Sequence, residues 1–367
     1  MIHHGKPPIP SEKSAAALLA FGGKIALFTL LTALSAGYAG LVRLRVMAYR
    51  RGWLKQAALP RPVISVGNIT AGGTGKTPTV IEIARILGQA GRRVAILTRG
   101  YRRAGDAPHV IVTPDFSASA VGDEPLLLAK SLPQARVIVG RNRAESGRIA
   151  LERFQPDVFV LDDGMQHLRL RRDCDLVLID ATQPFGGGRV LPAGLLREPV
   201  AHLARARAFL ITRSDEISDC AALVETLRRL NPAAPVFFGV HAFDALRWAG
   251  RGEQIPLDDW RGKPLLAVCG LGNPASFHRL LRGCGLDARD ALDFPDHHAY
   301  AARDAALIAS RVARHRVAAV VTTEKDEQKL LPHLAALNAP CGVVSIRMAI
   351  CPARPFAELL LRVTQPE

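Results

Sequence analysis

Val63-Ile-Ser-Val-Gly-Asn-Ile-Thr-Ala-Gly-Gly-Thr-Gly-Lys-Thr-Pro78 is the stretch on which the fold turns. A short β-branched run enters a glycine-rich turn, and an amphipathic segment over Thr79–Ala90 follows. That is the strand–loop–helix order of a phosphate-binding loop. Glycines let backbone N–H groups curl around phosphate oxygens, and the N-terminus of the following helix adds partial positive charge. The candidate nucleotide-binding residues are Thr70, Ala71, Gly72, Gly73, Thr74, Gly75, Lys76 and Thr77. In this arrangement Lys76 reaches the β- and γ-phosphates and is the first catalytic candidate, while the Thr77 hydroxyl is placed to hold Mg²⁺. Pro78 falls in the first helical turn, where a missing N–H costs nothing. One departure stands out: Thr70 occupies the place of the first glycine in the usual pattern.

Outward from this loop, short apolar runs alternate with helical stretches. Strands are expected at Val63–Val66, Val94–Thr98, Val110–Val112, Val137–Val139, Val158–Leu161, Leu176–Ile179, Phe209–Thr212 and Val236–Val240. Amphipathic segments such as Glu124–Ser131, Ala144–Phe154 and Cys220–Leu230 lie between them. The alternation predicts an α/β fold with a parallel sheet covered on both faces. It weakens over Phe243–Leu257 and resumes from Leu265, with Ala302–Ala313 and Glu327–Leu337 among the later helices. The expected organisation is an N-terminal helix and basic flank (1–55), a P-loop nucleotide-binding domain (56–240), a linker (241–262) and a smaller α/β domain (263–367). Within the first α/β domain, Val158-Phe-Val-Leu runs into Asp162 and Asp163. A carboxylate pair at a strand end beside a P-loop suits Mg²⁺, one carboxylate binding directly and the other through water; which is which stays open.

Residues Ile25–Val42 form an uncharged run of 18, the lower limit for spanning a hydrocarbon core. Arg43, Arg45, Arg50, Arg51 and Lys55 follow, with Tyr49 and Trp53 among them. Cationic and aromatic residues at that point suit a headgroup interface and place the body of the protein on the cytoplasmic side. Whether the segment spans or lies in the interface is open, because Ser, Thr and Gly dilute it. The whole chain of 367 residues carries a formal net charge of +15, and Arg makes up nearly all of the excess. Such a surplus favours anionic partners. A composition of 49% hydrophobic and 22% charged residues excludes both a disordered chain and a many-helix membrane protein. Six scattered cysteines with no CxxC pair read as reduced thiols, not a disulfide or zinc framework.

Several further motifs remain: Asp162-Asp-Gly-Met-Gln-His-Leu168, Arg99-Gly-Tyr101, Gly122-Asp-Glu-Pro125, Leu191-Pro-Ala-Gly-Leu-Leu-Arg-Glu-Pro199, Phe294-Pro-Asp-His-His298 and Thr323-Glu-Lys-Asp326. Taken in order, they resemble the tetraacyldisaccharide 4′-kinase family of the Gram-negative lipid A pathway, from the hydrophobic N-terminal segment to about Leu330. The resemblance implies two α/β/α domains joined by a β-ribbon, with an active site between them. It implies transfer of the γ-phosphate of ATP, with Mg²⁺, to the 4′-hydroxyl of an acylated glucosamine disaccharide 1-phosphate, forming lipid IVA. It implies work at the cytoplasmic face of the inner membrane, by a protein held there peripherally or by a single helix; no obligate protein partner is inferred. Position by position, the resemblance makes Asp123 the general base, with Asp296 and His297 pairing with it and tuning it. Arg197 is implied near the nucleotide, Glu198 near the metal, and Tyr101 in the cleft. This sequence has Arg102-Arg103 where a small residue often follows Arg-Gly-Tyr, and Leu195 where Pro is common.

The residues alone leave alternatives. Asp123 also stands where an ordinary helix-capping Asp would. His297 and His298 read equally as loop histidines or a metal pair, and His167 as a core residue or a phosphate-orienting one. Arg141, Arg143, Arg148 and Arg197 are candidate phosphate contacts or solvated surface cations. A different class, a membrane-attached P-loop ATPase or switch, shares the loop and the anchor. A guanine reader would need Asn/Thr-Lys-x-Asp, and in Thr323-Glu-Lys-Asp326 the lysine comes one place late. Nucleic acid is discounted as a partner, since aromatics make up 5% of the chain and no binding module is present.

Overall fold

The computed structural model of the chain describes residues 12–100, 103, 107–296 and 298–365, with side chains from Leu27 onward. The described chain forms two compact units: residues up to Leu54 with Ile69–Ala71 and Phe185–His202, and the remainder.

The first unit is built on the helix α1 (Glu12–Arg50). Its stretch Leu27–Arg50 has a mean hydropathy of 1.5 and is long and apolar enough, by length and composition, to cross a membrane. Leu27, Leu30, Leu34, Leu41 and Leu44 are exposed along it, while Ser35, Ala39 and Val46 are buried.

The second unit carries one twelve-stranded sheet. Its strands are β1 (Val63–Asn68), β2 (Val94–Thr98), β3 (His109–Val112), β4 (Arg136–Gly140), β5 (Val158–Asp162), β6 (Cys174–Asp180), β7 (Ala208–Thr212), β8 (Val236–Trp248), β9 (Pro264–Cys269), β10 (Asp287–Asp293), β11 (Ala319–Thr323) and β12 (Cys341–Cys351). The order is β10-β9-β11-β12-β8-β7-β6-β1-β5-β2-β4-β3. All neighbouring pairs are parallel except β3–β4 and β8–β12. Its helices are α2 (Lys76–Gln89), α3 (Ala118–Val121), α4 (Asp123–Ser131), α5 (Arg143–Phe154), α6 (Ala221–Leu230), α7 (Pro274–Gly283), α8 (Ala302–His315), α9 (Glu324–Leu330) and α10 (Ala353–Val363). The α/β class read from the alternation is the fold observed.

β1 is buried at all six positions, as a central parallel strand covered on both sides must be. On one face Ile64 and Val66 pack with Val80, Ile83 and Leu87 of α2 and Leu126 of α4. On the other, Val63 and Phe159 pack with Ala144 and Ala150 of α5. From β1 the chain moves outward to β2 and the edge strand β3, returns through β4 to β5 beside β1, and then builds β6 and β7 on the opposite side. The carboxyl ends of β1 and β5 therefore flank the place where the winding changes direction, the usual ligand position in an open α/β sheet.

The antiparallel ribbon of β8 and β12 runs from the Phe238–Cys351 pair to the Trp248–Gly342 pair. The expected linker 241–262 falls on the second half of β8, a turn and a short 3₁₀ helix at Leu257–Asp259. Two elements differ from expectation. β10, Asp-Ala-Arg-Asp-Ala-Leu-Asp, forms at the sheet edge without a β-branched residue. The helix expected over Glu327–Leu337 ends at Leu330 and continues as 3₁₀ turns, because Pro332 has no N–H for the α-helical ladder. All six cysteines are free thiols.

α9 is locked to β8 through Glu327, whose carboxylate accepts from Arg247 Nη1 at 2.7 Å, Arg247 Nη2 at 2.5 Å and Gly250 N at 3.0 Å. Burial alone would raise the Glu327 carboxyl, but these donors hold it below the usual range. Glu327→Ala strands the guanidinium and is expected to destabilise the fold by about 3 kcal/mol, read as a lower urea midpoint at unchanged slope.

Candidate active site

The loop after β1 needs glycine at two points. Gly72 (φ 115°) and Gly75 (φ 79°) lie in the left-handed region, and a Cβ on Gly75 would come within 3.1 Å of both His241 and Met348. Thr70 has no positive φ, so a side chain costs no backbone strain there, which accounts for the departure from the usual pattern. Lys76 opens α2, and its Nζ donates to Asn68 Oδ1 at 3.1 Å and stands 3.6 Å from Asp163 Oδ1. Thr77 is buried in the same turn. The loop backbone is braced from β7 and the residue after it: Thr212 Oγ1 donates to Thr74 O at 3.1 Å, and Arg213 Nη2 donates to Gly73 O at 2.9 Å. Arg213 also pairs with Asp180 at the end of β6. Thr74 Oγ1 is buried with no partner among the described residues. A buried hydroxyl left unpaired inside such a loop fits a phosphate oxygen.

Parallel pairing places Asp162 of β5 opposite Val66 of β1, so the carboxylate pair lies on the strand next to the loop. Asp162 accepts from Thr98 Oγ1 at 2.9 Å and is buried. Burial, reinforced by the nearby Glu124 and Asp163 charges, pushes its carboxyl up to about 7. Asp163 adopts φ 51°, which Asp tolerates and which ends the strand. Arg143 is buried, and burial lowers its guanidinium to about 10 against the pull of Asp162 and Asp163. Its Nε has no partner among the described residues. Hard oxygen donors (Thr77, Asp162, Asp163), with a buried carboxylate next to a partly exposed one, fit Mg²⁺.

Asp123 is the first residue of α4, one place inside the Gly122 cap, so it is not the capping residue. Its Oδ2 lies 2.6 Å from Lys329 Nζ of α9. Asp296 Oδ1 lies 3.9 Å from Lys325 Nζ, one turn earlier on the same helix. His297 and Tyr101 lie outside the described residues. His298 is structural: its Nε2 pairs with Asp304 Oδ2 at 3.0 Å and its ring stacks on Phe294 at 4.6 Å. Asp326 is likewise structural, accepting from Gly270 N at 3.0 Å and Thr323 Oγ1 at 2.7 Å in full burial. The His167 carbonyl accepts from Arg172 at 3.2 Å. Arg141 is exposed, and Arg148 is exposed and paired with Glu145.

In the first unit, Thr70 forms a β-bridge with Leu196, Ala71 N donates to Leu195 O at 2.7 Å, and Arg197 N donates to Ile69 O at 2.6 Å. Glu198 is buried and pairs with His202 Nδ1 at 2.8 Å. The sequence reading missed Asn68, Thr98, Arg213 and Lys329. Asn68 stands between the expected strand Val63–Val66 and the glycine turn and Thr98 at the end of an expected strand, neither with a chemical signal of its own, and the last two are single cations on elements far along the chain.

Known proteins resemble this chain along nearly its whole length. Residues 27–365 match the family described as Tetraacyldisaccharide-1-P 4′-kinase. The tetraacyldisaccharide 4′-kinase of Pelobacter propionicus is 42% identical over 92% of this chain and 93% of its own. That of Syntrophus aciditrophicus is 40% identical over 88% and 89%. Among solved structures, LpxK from Aquifex aeolicus, crystallised in complex with ATP, superposes with a TM-score of 0.73 at 30% identity, covering 92% of this chain and all of that one. With the phosphate-binding loop, the strand-end carboxylates and the apolar stretch Leu27–Arg50 all inside the matched span, the chain belongs to the tetraacyldisaccharide-1-P 4′-kinase family.

Proposed function

We propose that the chain transfers the γ-phosphate of ATP to the 4′-hydroxyl of tetraacyldisaccharide 1-phosphate, yielding lipid IVA and ADP. The observation that carries this reading is family membership over residues 27–365, with the Gly72–Thr77 cradle intact inside it. The cradle receives the ATP phosphates, Lys76 neutralises the γ-phosphoryl group, and Arg143 is the second cation facing that charge. Thr77 and the Asp162–Asp163 pair are the residues that would hold Mg²⁺, which supplies neutralisation of the β- and γ-phosphate charge. A sugar hydroxyl is a poor nucleophile, so a carboxylate that accepts its proton speeds attack. Asp123 takes that role: as the new P–O bond forms and the bond to the β-phosphate oxygen breaks, the hydroxyl proton passes to Asp123. Asp296 and His297 tune it. Arg197 and Glu198 keep the nucleotide and metal roles implied by the family.

An acceptor-dependent assay tests the reading. ADP release in mixed micelles should require the tetraacyldisaccharide 1-phosphate and should cease with its 4′-deoxy analogue. ADP release indifferent to the acceptor would favour a membrane-attached ATPase instead.

The acceptor is anchored in lipid, and the enzyme meets it at the cytoplasmic face of the inner membrane. The exposed leucines of α1 and the basic flank Arg43–Lys55 support that placement. Changing Leu30, Leu34, Leu41 and Leu44 together to Ser removes about 1.5 kcal/mol or more of apolar transfer at each site. The variant is expected to pass from the membrane pellet to the supernatant with its fold unchanged by circular dichroism.

A further inference from the structure

Phe28, Thr32, Ser35 and Tyr38 lie on one strip of α1, at successive steps of four, three and three residues. Each meets the segment Arg189–Arg197. The Arg189 guanidinium sits 4.5 Å from the centre of the Phe28 ring, and its Nη1 is 3.4 Å from Thr32 Oγ1. Ser35 Oγ donates to Val190 O at 2.8 Å and accepts from Ala193 N at 2.9 Å. Tyr38 Oη donates to Arg197 O at 3.1 Å.

Ser35 is the unusual member. A serine or threonine inside a helix commonly returns its hydroxyl to the carbonyl four residues back, as Thr32 does to Phe28 O at 2.8 Å. The buried Ser35 instead uses both its donor and its acceptor on two loop residues three apart. The segment it clamps follows Gly186, Gly187 and Gly188, all at positive φ, a run with little conformational restraint of its own. The same segment then grips the approach to the phosphate-binding loop, through Leu195 O to Ala71 N and Ile69 O to Arg197 N. Ala71 is followed directly by Gly72.

We propose that Ser35 is a positioning residue for ATP binding: through Val190 and Ala193 it fixes the Arg189–Arg197 segment, and that segment fixes Ile69–Ala71 ahead of the P-loop. The inference rests on the reading of Gly72–Thr77 as the ATP site.

The test uses full-length protein in detergent, with direct binding of labelled ATP in Mg²⁺ and a parallel KM determination for each substrate. Ser35→Ala, which loses both hydrogen bonds, is expected to weaken ATP binding about tenfold while the KM for the lipid acceptor stays within about twofold. Ser35→Thr, which keeps the hydroxyl, restores ATP binding. Sedimentation with phosphatidylethanolamine–phosphatidylglycerol vesicles stays at the wild-type level in both. Should Ser35→Ala unfold α1, Tyr38→Phe decides, since it deletes one hydroxyl at an exposed position and is expected to weaken ATP binding about threefold. ATP binding unchanged in the folded variants, or a loss of acceptor affinity equal to that of ATP, overturns the proposal. A wild type that binds ATP with this Ser35 dependence yet phosphorylates no lipid would refute the kinase reading and leave the coupling in place.

Discussion

Lys76→Ala is expected to cut phosphate transfer by about a thousandfold or more, the cost of removing a preorganised cation from a phosphoryl-transfer site. The geometry explains why one side chain carries so much. Its ammonium sits between Asn68 Oδ1 and Asp163 Oδ1, at the start of a helix whose N-terminus already favours anions. On the proposed reading, phosphate arriving in the cradle would exchange those two partners for phosphoryl oxygens, and the charge that grows on them in the transition state would have Lys76 beside it. The loss should fall mainly on kcat, since loop backbone and Arg143 still attract the nucleotide. Single-turnover kinetics with saturating Mg²⁺-ATP measure it. A variant retaining a tenth or more of wild-type turnover would remove Lys76 from the chemistry.

Asp123→Asn is expected to lower kcat by about a hundred- to ten-thousandfold while ATP affinity stays within about twofold. Amide for carboxylate keeps the shape and removes the proton acceptor. It also removes the ion pair with Lys329, and that confounding effect can be separated. Lys329→Met breaks the same pair but leaves the carboxylate, so general-base catalysis predicts that it retains far more activity than Asp123→Asn. Equal losses in the two variants would mean that the ion pair, not the base, is what turnover needs. Equal losses of turnover and ATP affinity in Asp123→Asn would assign the residue to nucleotide binding instead.

The loop and its flanks were legible because their signals are local. Val63–Val66 is β-branched at three of its four positions, the glycines at positions 72 and 75 answer to positive φ, and Asp162–Asp163 closes an apolar run. β10 was not legible, because an edge strand of alternating Asp, Ala and Arg presents neither β-branched residues nor an apolar run. The double role of Thr323-Glu-Lys-Asp326 was hidden for another reason. Its Asp326 is an internal brace, whereas Lys325 and Lys329 of the helix it starts reach Asp296 and Asp123, pairings that only the tertiary fold creates. Arg213 and Asn68 are of the same kind, single polar residues whose partners lie on other strands. Ser35 is the extreme case: in sequence it dilutes an apolar helix, and in the structure it spends its whole hydrogen-bonding capacity on a loop more than a hundred residues away.

The fate of the γ-phosphate of ATP decides which reaction the protein carries out. Wild-type protein, Mg²⁺ and γ-labelled ATP are incubated with tetraacyldisaccharide 1-phosphate in mixed micelles, and the lipid is recovered and its labelled phosphate located. Label is expected on the lipid as a monoester at the 4′-oxygen. Label recovered only as inorganic phosphate, or on any other position of the disaccharide, would contradict it.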